Sequence, residues 1–356
     1  MRFPRGTVMK LKMNIWGSAA AVLAVVLSAA AAHPASASAA AEPCAREIMP
    51  VLPDSTSTNV LSGDPGGRYQ IGTSRDTDEN DHNVLWQDGT ARELRIPTGH
   101  GDASPQDVNR SGEIVALTSE GDDVQGWRYK NGQVTGLPSP ESARSTEPTV
   151  INSGGEIAGT AFYAANAWDG YAVVWSADNA VRKLPRPDGF NEARVSDIDD
   201  DGTVVGYVTQ WDYAKAEVLN ERAVAWSADG SWRFLPGLVP DAHTQALTIR
   251  NGRVAGTEQG RDHAVAWDAR SGEATELPAR GRPVAINSGG SVALNPGYGD
   301  MVLLQQGVER PLPVDDPNMS GGSVFALTDA DVVYGSDWVW DGDKQTSTQW
   351  PVRWRC

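Results

Sequence analysis

Arg222–Pro236 reads RAVAWSADGSWRFLP, and variants of it recur along the chain at nearly regular intervals. Ala223 and Ala225 alternate with Val224 and Trp226, the two-residue period of a strand with one small and one large face. Ser227–Gly230 supplies turn residues, and Trp232–Leu235 reads as a second strand ended by Pro236. Proline has no N–H for a further neighbour, so this second strand is expected at a sheet edge. The unit is a hairpin whose second member is an edge.

The hairpin recurs from HNVLW to Pro97 with Trp86, from GWRYK to Pro138 with Trp127, and from YAVVW to Pro185 with Trp175. After RAVAW with Trp226 come HAVAW to Pro278 with Trp267, and MVLL to Pro313 with Leu303 or Leu304 at the Trp place. PVRW with Trp354 is the last copy and has no partner strand after it. Successive markers lie about 37 to 51 residues apart, the period of a four-stranded propeller blade.

Ahead of each hairpin stands a strand-turn-strand signature: DVNRSGEIVA from 107, VINSGGEIAG from 150, DIDDDGTVVG from 197, AINSGGSVAL from 285, LTDADVVYG from 327, and the looser TIRNGRVAG from 248. Asn109, Asn152, Asp199 and Asn287 hold equivalent places where a short side chain bonds the turn backbone, and the following glycines supply positive φ. Glu47–Pro53, EIMPVLP, looks like an outer strand with its terminal Leu-Pro but precedes any blade of its own. Lending it to the last copy gives a count of seven. The expected fold is an all-β, seven-bladed β-propeller of four-stranded blades, its ring closed by the N-terminal strand. The 37 glycines and 22 prolines, and the lack of any long apolar 3.6 period after residue 41, agree with an all-β chain rich in turns.

A-x-x-W after I-N-x-x-G-x-V-V-G, with Leu-Pro behind, resembles the HAF repeats of bacterial extracellular proteins, named for a His-Ala-Phe triplet. His263-Ala264-Val265-Ala266-Trp267 is the nearest copy and His82-Asn83-Val84-Leu85-Trp86 the next, with the Phe replaced throughout. The resemblance covers nearly all of residues 47–356. It implies a secreted repeat protein of largely unassigned activity and transfers no catalytic residue. In a propeller each blade packs on two neighbours, so Trp86, Trp127, Trp175, Trp226, Trp267 and Trp354 are expected in the core, large face against small.

Arg2, Arg5, Lys10 and Lys12 precede an apolar run from about Ile15 to Ala32 and the small-residue stretch Ala35–Ala41. Residues 1–41 therefore read as a secretory signal peptide and residues 42–356 as one propeller domain, with no membrane insertion after cleavage. Removing four positive charges takes the net charge from −16 to −16 − 4 = −20, which repels nucleic acid and anionic lipid. The two cysteines, Cys44 and Cys356, stand at the ends of the mature chain and are expected to form one disulfide at the turn of the shared blade.

No H-E-x-x-H, G-x-S-x-G or P-loop motif occurs, and His82, His100, His243 and His263 fall at unrelated repeat places. Asp197, Asp199 and Asp201 spell D-x-D-x-D-G, which either wraps Ca²⁺ or forms a solvated turn, since no bidentate Glu follows. The connections between second and third strands carry Trp168, Trp211, Tyr213, Trp338, Trp340 and Trp350, with the acidic run Asp76–Asp81 in the first blade. These rings either pin long loops or form one aromatic and acidic binding face. The expectation is a secreted, monomeric, non-enzymatic module binding an extracellular glycan or protein. The alternative is a hydrolase or lyase with an axial active site, assembled from several blades and so invisible to linear motifs.

Overall fold

In the computed structural model, residues 41–121, 123–163, 169–295, 301–315, 320–342 and 346–356 are described. Apart from Ala41, the expected signal peptide lies outside them, as does Trp168. The described residues form seven four-stranded antiparallel sheets and one two-stranded hairpin. Blade four shows the pattern: inner strand Glu192–Ile198, second strand Val204–Asp212, third strand Glu217–Trp226 and outer strand Trp232–Leu235. The other inner strands are Ser55–Gly63, Ser104–Val108, Ser145–Ile151, Thr244–Arg250, Arg282–Ile286 and Ser320–Leu327.

The seventh blade takes its outer strand from the other end of the chain. Ala45–Ile48 pairs antiparallel with the last strand, from Ala45 opposite Arg355 to Ile48 opposite Val352. Cys44 and Cys356 are bonded beside this pairing, with their Cα atoms 4.5 Å apart. The borrowed strand ends three residues earlier than its Leu-Pro suggests, and the cause is an inter-blade bond. The indoles of Trp175, Trp226, Trp267 and Trp354 donate to the carbonyls of Pro138, Pro185, Pro236 and Pro313 in the preceding blade. Trp86 donates likewise to Pro50. Met49-Pro50, not Leu52-Pro53, is therefore the counterpart of Leu-Pro. A proline at this place terminates the edge and leaves a carbonyl that anchors the next blade's tryptophan.

Trp86, Trp175, Trp226 and Trp354 are fully buried, and Trp267 nearly so. Trp127 departs from the core expectation. The bond from Leu137 N–H to Gly126 O matches that from Leu184 N–H to Ala172 O, so Tyr129 stands where the other blades have Trp. Trp127 is two places early, half-buried, and its indole donates to Thr118 Oγ1 within its own blade. Between them the buried Arg128 bonds Glu113 Oε2, Asn179 Oδ1 and the carbonyls of Gly155 and Ser176, stapling blade two to blade three. In blade six Leu304, opposite Val292, fills the Trp place.

Every inner strand is interrupted by a bulge near its end, for instance between Val195 and Asp197 and between Pro105 and Asp107. The extra residue bends the strand and re-aims the side chains that follow it toward the axis. The bulge also explains the glycine of I-A-G and V-V-G on the second strand: a Cβ on Gly206 would stand 2.0 Å from the Arg194 carbonyl oxygen. The repeat thus encodes a ring whose lining is set by one bulge per blade.

Candidate functional site

The ring has two unlike ends. Turns from inner to second strand and from third to outer strand lie at the turn end. Connections from second to third strand, and from each outer strand to the next blade, lie at the loop end.

At the turn end the motif residues bond blade to blade. Asn109 Oδ1 accepts from Ser111 and Glu113 N–H in its own turn, while its Nδ2 donates to the Asn152 carbonyl in the next blade. Asn152 repeats this toward the Asp199 carbonyl, and Asn287 toward Thr328. Deeper in, Asp107 accepts from Ser62 Oγ and from the N–H groups of Val108 and Ile151. Asp197 likewise accepts from Ile198 N–H, Thr248 Oγ1 and Ile249 N–H. Burial pushes Asp107 up to about 6 and Asp197 up to about 7, against the pull of those donors, and Asp107 adds its charge to the shift on Asp197.

The D-x-D-x-D-G carboxylates therefore have three separate destinations. Asp197 meets the inner strand of blade five, Asp199 accepts from Asn251 and Gly252 N–H at 3.1 and 2.7 Å, and Asp201 caps Thr203 N–H at the surface. Among the described residues no three His, Cys, Asp or Glu side chains stand together as a metal-holding group.

The loop end has a different chemistry. A cavity of about 400 Å³ opens on the axis there, lined by Glu147, Arg194, Tyr207, Leu247 and Arg282 among others. Beside it a second hollow of about 310 Å³ holds Glu221, His243, Gln245 and Glu258. Arg282 reaches from the first to the second through Gln245, while Arg194 centres a separate set of contacts. Arg194 bonds Glu192 Oε1 and lies 3.6 Å from Glu147 Oε2, and Arg282 donates to Gln245 Oε1 at 3.3 Å. Gln245 Nε2 in turn donates to Glu221 Oε1 at 2.9 Å. Burial raises the pKa of Glu147, with Arg194 opposing, and burial raises Glu221 against bonds from Gln245 and Thr209. Tyr207, which also lines the first cavity, is raised by burial, with Arg194 opposing and Glu221 adding to the shift. Carboxyls whose protonated form burial favours, set in hollows that also hold guanidinium groups, are the raw material of acid-base chemistry on an anionic intermediate.

The aromatic residues read from the sequence sit around this end in two groups. Trp211 is half-buried, and its indole donates to Glu192 Oε2 at 2.7 Å, so it orients a carboxylate of the axial network. Tyr213 beside it is 48% exposed. In blade seven Trp338 and Trp340 are 38% and 45% exposed, and Trp350 is half-buried. The described rings thus stand in blades four and seven, on opposite sides of the axis rather than in one patch. The acidic run holds its own loop: Asp76 caps Asp78 and Asn80 N–H, and Asp81 pairs with Arg75.

Glu147, Arg194, Tyr207, Glu221, Gln245 and Arg282 were not singled out from the sequence. Glu147, Arg194, Gln245 and Arg282 lie near the starts of their inner strands, where copies differ, and only counting back from each turn through the bulge aligns them, while Tyr207 and Glu221 lie mid-strand on the neighbouring second and third strands.

No protein-family model matches the chain, and no curated protein matches it. Solved structures do share its fold. A streptogramin B lyase superposes with a TM-score of 0.54 at 15% identity over 88% of this chain and 98% of that one. A catalytically inactive variant of virginiamycin B lyase from Staphylococcus aureus, with quinupristin, gives 0.54 at 13% identity over 88% and 99%. A puromycin hydrolase gives 0.56 at 15% identity over 84% of this chain but only 53% of its own. The expectation of a protein without catalysis is overturned by these neighbours, which are enzymes. At such identities the likeness itself shows a shared β-propeller fold.

Proposed function

We propose that this protein is a secreted propeller enzyme, a lyase or hydrolase, with its active site at the loop end of the axis. One observation carries the reading: Glu147 and Glu221, both pushed toward the protonated form by burial, line two hollows of the loop end, the first shared with Arg194, Arg282 and Tyr207 and the second tied to Arg282 through Gln245. One carboxylate takes a proton, from water in hydrolysis or from carbon in elimination. The other gives a proton to the leaving oxygen or nitrogen. A guanidinium holds the negative charge that develops between the two steps. The lyases among the fold neighbours span nearly their whole length with this chain, which supports placing the chemistry in the ring itself. The disulfide at the ring closure supports an oxidising, extracellular setting, and no helix among the described residues is long and apolar enough to cross a membrane. The exposed rings of Tyr213, Trp338 and Trp340 stand where they would grip an extracellular glycan or peptide substrate.

The test is turnover by the mature protein on a panel of esters, amides, depsipeptides and acidic polysaccharides. Glu147→Gln and Glu221→Gln are each expected to lower kcat at least about 100-fold with an unchanged melting temperature. Because the acid must stay protonated, kcat/KM is expected to fall as pH rises through a value above the ordinary Glu range. Turnover untouched by both substitutions, or none on any member of the panel, overturns the assignment.

A further inference from the structure

Below the loop-end cavity the axis holds a second chamber, of about 170 Å³, lined by bulge residues and turn residues from all seven blades. The two share Ser196, Leu247 and Val284 as a common waist. The lower chamber is lined by turn residues and contains neither Glu147 nor Glu221 of the proposed acid-base site. Its walls are not alike. Blades two and four contribute Asp107 and Asp197 at the bulge, whereas blades six and seven contribute Ala285 and Ala326 at the same register. Blade five contributes Arg250 where Asn109 and Asn152 stand in the regular copies.

Arg250 is 8% exposed and lines the chamber. One terminal nitrogen pairs with Asp200 Oδ2 at 3.1 Å, but its buried Nε has no partner. A buried donor without an acceptor is costly, and a guanidinium presents its donors in a fixed plane suited to an oxyanion. Asp107 and Asp197 each already accept three bonds. Few lone pairs remain on them to coordinate a cation.

We propose that this chamber binds one small oxyanion of sulfate size through Arg250 Nε. The charges facing the chamber make the binding pH-dependent. Asp107 from blade two and Asp197 from blade four repel an anion when ionised. When protonated, each can turn an O–H donor toward it. Asp200 already neutralises part of Arg250. Asp64 acts on Asp107, while Asp329 feels both Arg110 and Arg250 at the rim. Since Asp107 and Asp197 titrate at about 6 and about 7, the anion binds at mildly acidic pH and is released above neutrality. Through the shared waist, occupancy of this chamber sits directly beneath the proposed active opening.

The experiment is calorimetric titration of the mature protein with sulfate, whose charge is constant over the range, at fixed ionic strength and at pH 5.5 and 8. Acetate runs in parallel to separate oxyanion from simple carboxylate binding. One saturable site is expected for sulfate at pH 5.5, at least tenfold weaker at pH 8. Arg250→Met should abolish it. Ala285→Asp, which copies the aspartate of blades two and four and leaves Arg250 in place, should keep a site at pH 5.5 and weaken it further as pH rises toward 8, with circular dichroism and melting temperature reporting the fold. Absence of saturable heat, or affinity unaffected by Arg250→Met, or a pH dependence unaltered by Ala285→Asp, or affinity equal at both pH values, overturns the site. Acetate binding as tightly as sulfate overturns the oxyanion preference. No turnover by a parent protein that binds sulfate in this way would count against the proposed active site alone.

Discussion

The turn end and the loop end are built from the same seven inner strands, yet they obey different rules. At the turn end one residue type at one position does one job in blades two, three and six: Asn109, Asn152 and Asn287 each cap their own turn and bond the next blade's carbonyl. At the loop end the corresponding positions of blades three to six are Glu147, Arg194, Gln245 and Arg282, which meet in two unlike pairs, Glu147 with Arg194 and Gln245 with Arg282, and repeat nothing. Repetition holds a ring together because every blade meets the same kind of neighbour. Chemistry needs unlike groups facing one another, so it sits where the copies diverge.

The sharpest way to break the turn end is to open its closure. Cys44→Ser with Cys356→Ser removes a crosslink spanning 312 residues, worth at most about 5 to 6 kcal/mol in the chain-entropy treatment. Guanidinium unfolding of the double variant against the parent measures it. A loss under about 1 kcal/mol would mean that the pairing of Ala45–Ile48 closes the ring unaided.

The next test concerns the hooks between blades. Trp226→Ala removes a fully buried indole and its bond to Pro185 O and is expected to cost about 3 to 5 kcal/mol. Trp127→Ala removes a half-buried ring bonded only within its own blade and should cost under about 2 kcal/mol. Equal losses in chemical denaturation would restore Trp127 to the core and undo the register that places Tyr129 there.

These two residues also mark how far the sequence could be read. The blade number, the borrowed strand and the disulfide follow from periods and end-effects, which survive substitution because every copy votes for them. The two-residue error at Trp127 and the three-residue error at Leu52-Pro53 arose because single copies were aligned by residue type, whereas the backbone aligns them by hydrogen bonds such as Met49 N–H to Pro351 O. The loop-end site was illegible for a related reason. Glu147 and Glu221 are 74 positions apart, and only the bulges and the closure of the ring bring their neighbourhoods together. Among the aromatics, Trp211 was noticed, but its use, orienting Glu192, depends on a contact across a strand pair that no spacing announces.

A smaller effect separates the two readings of D-x-D-x-D-G. Asp199→Ala leaves Asn251 and Gly252 N–H without their acceptor, a loss of about 1 to 3 kcal/mol. The same loss is expected in millimolar calcium and in chelator, because the bonds broken are between blades. A melting temperature that rises with calcium in the parent and not in the variant would return these carboxylates to a cation.

The smallest effect on stability is expected at the loop end, and there it is the most informative. Tyr213 and Trp340 are about half exposed, so Tyr213→Ala and Trp340→Ala should each change stability by no more than about 0.5 kcal/mol. Trp211→Phe differs, since it removes the indole N–H from the buried Glu192 and should cost about 1 to 3 kcal/mol. If the exposed rings grip substrate at the rim, the first two variants raise KM with kcat unchanged. Trp211→Phe instead lowers kcat, because Glu192 then competes differently for Arg194. Stacking is also short-ranged and uncharged, so the KM effects should persist at high salt, where attraction between the acidic surface and a cationic substrate would be screened. Kinetics of the three variants in low and high salt, beside their melting curves, decide the matter. A lowered melting temperature with unchanged KM for Tyr213→Ala and Trp340→Ala would make these rings anchors of their loops, and the loop end would then recognise its substrate through the axial polar chain alone.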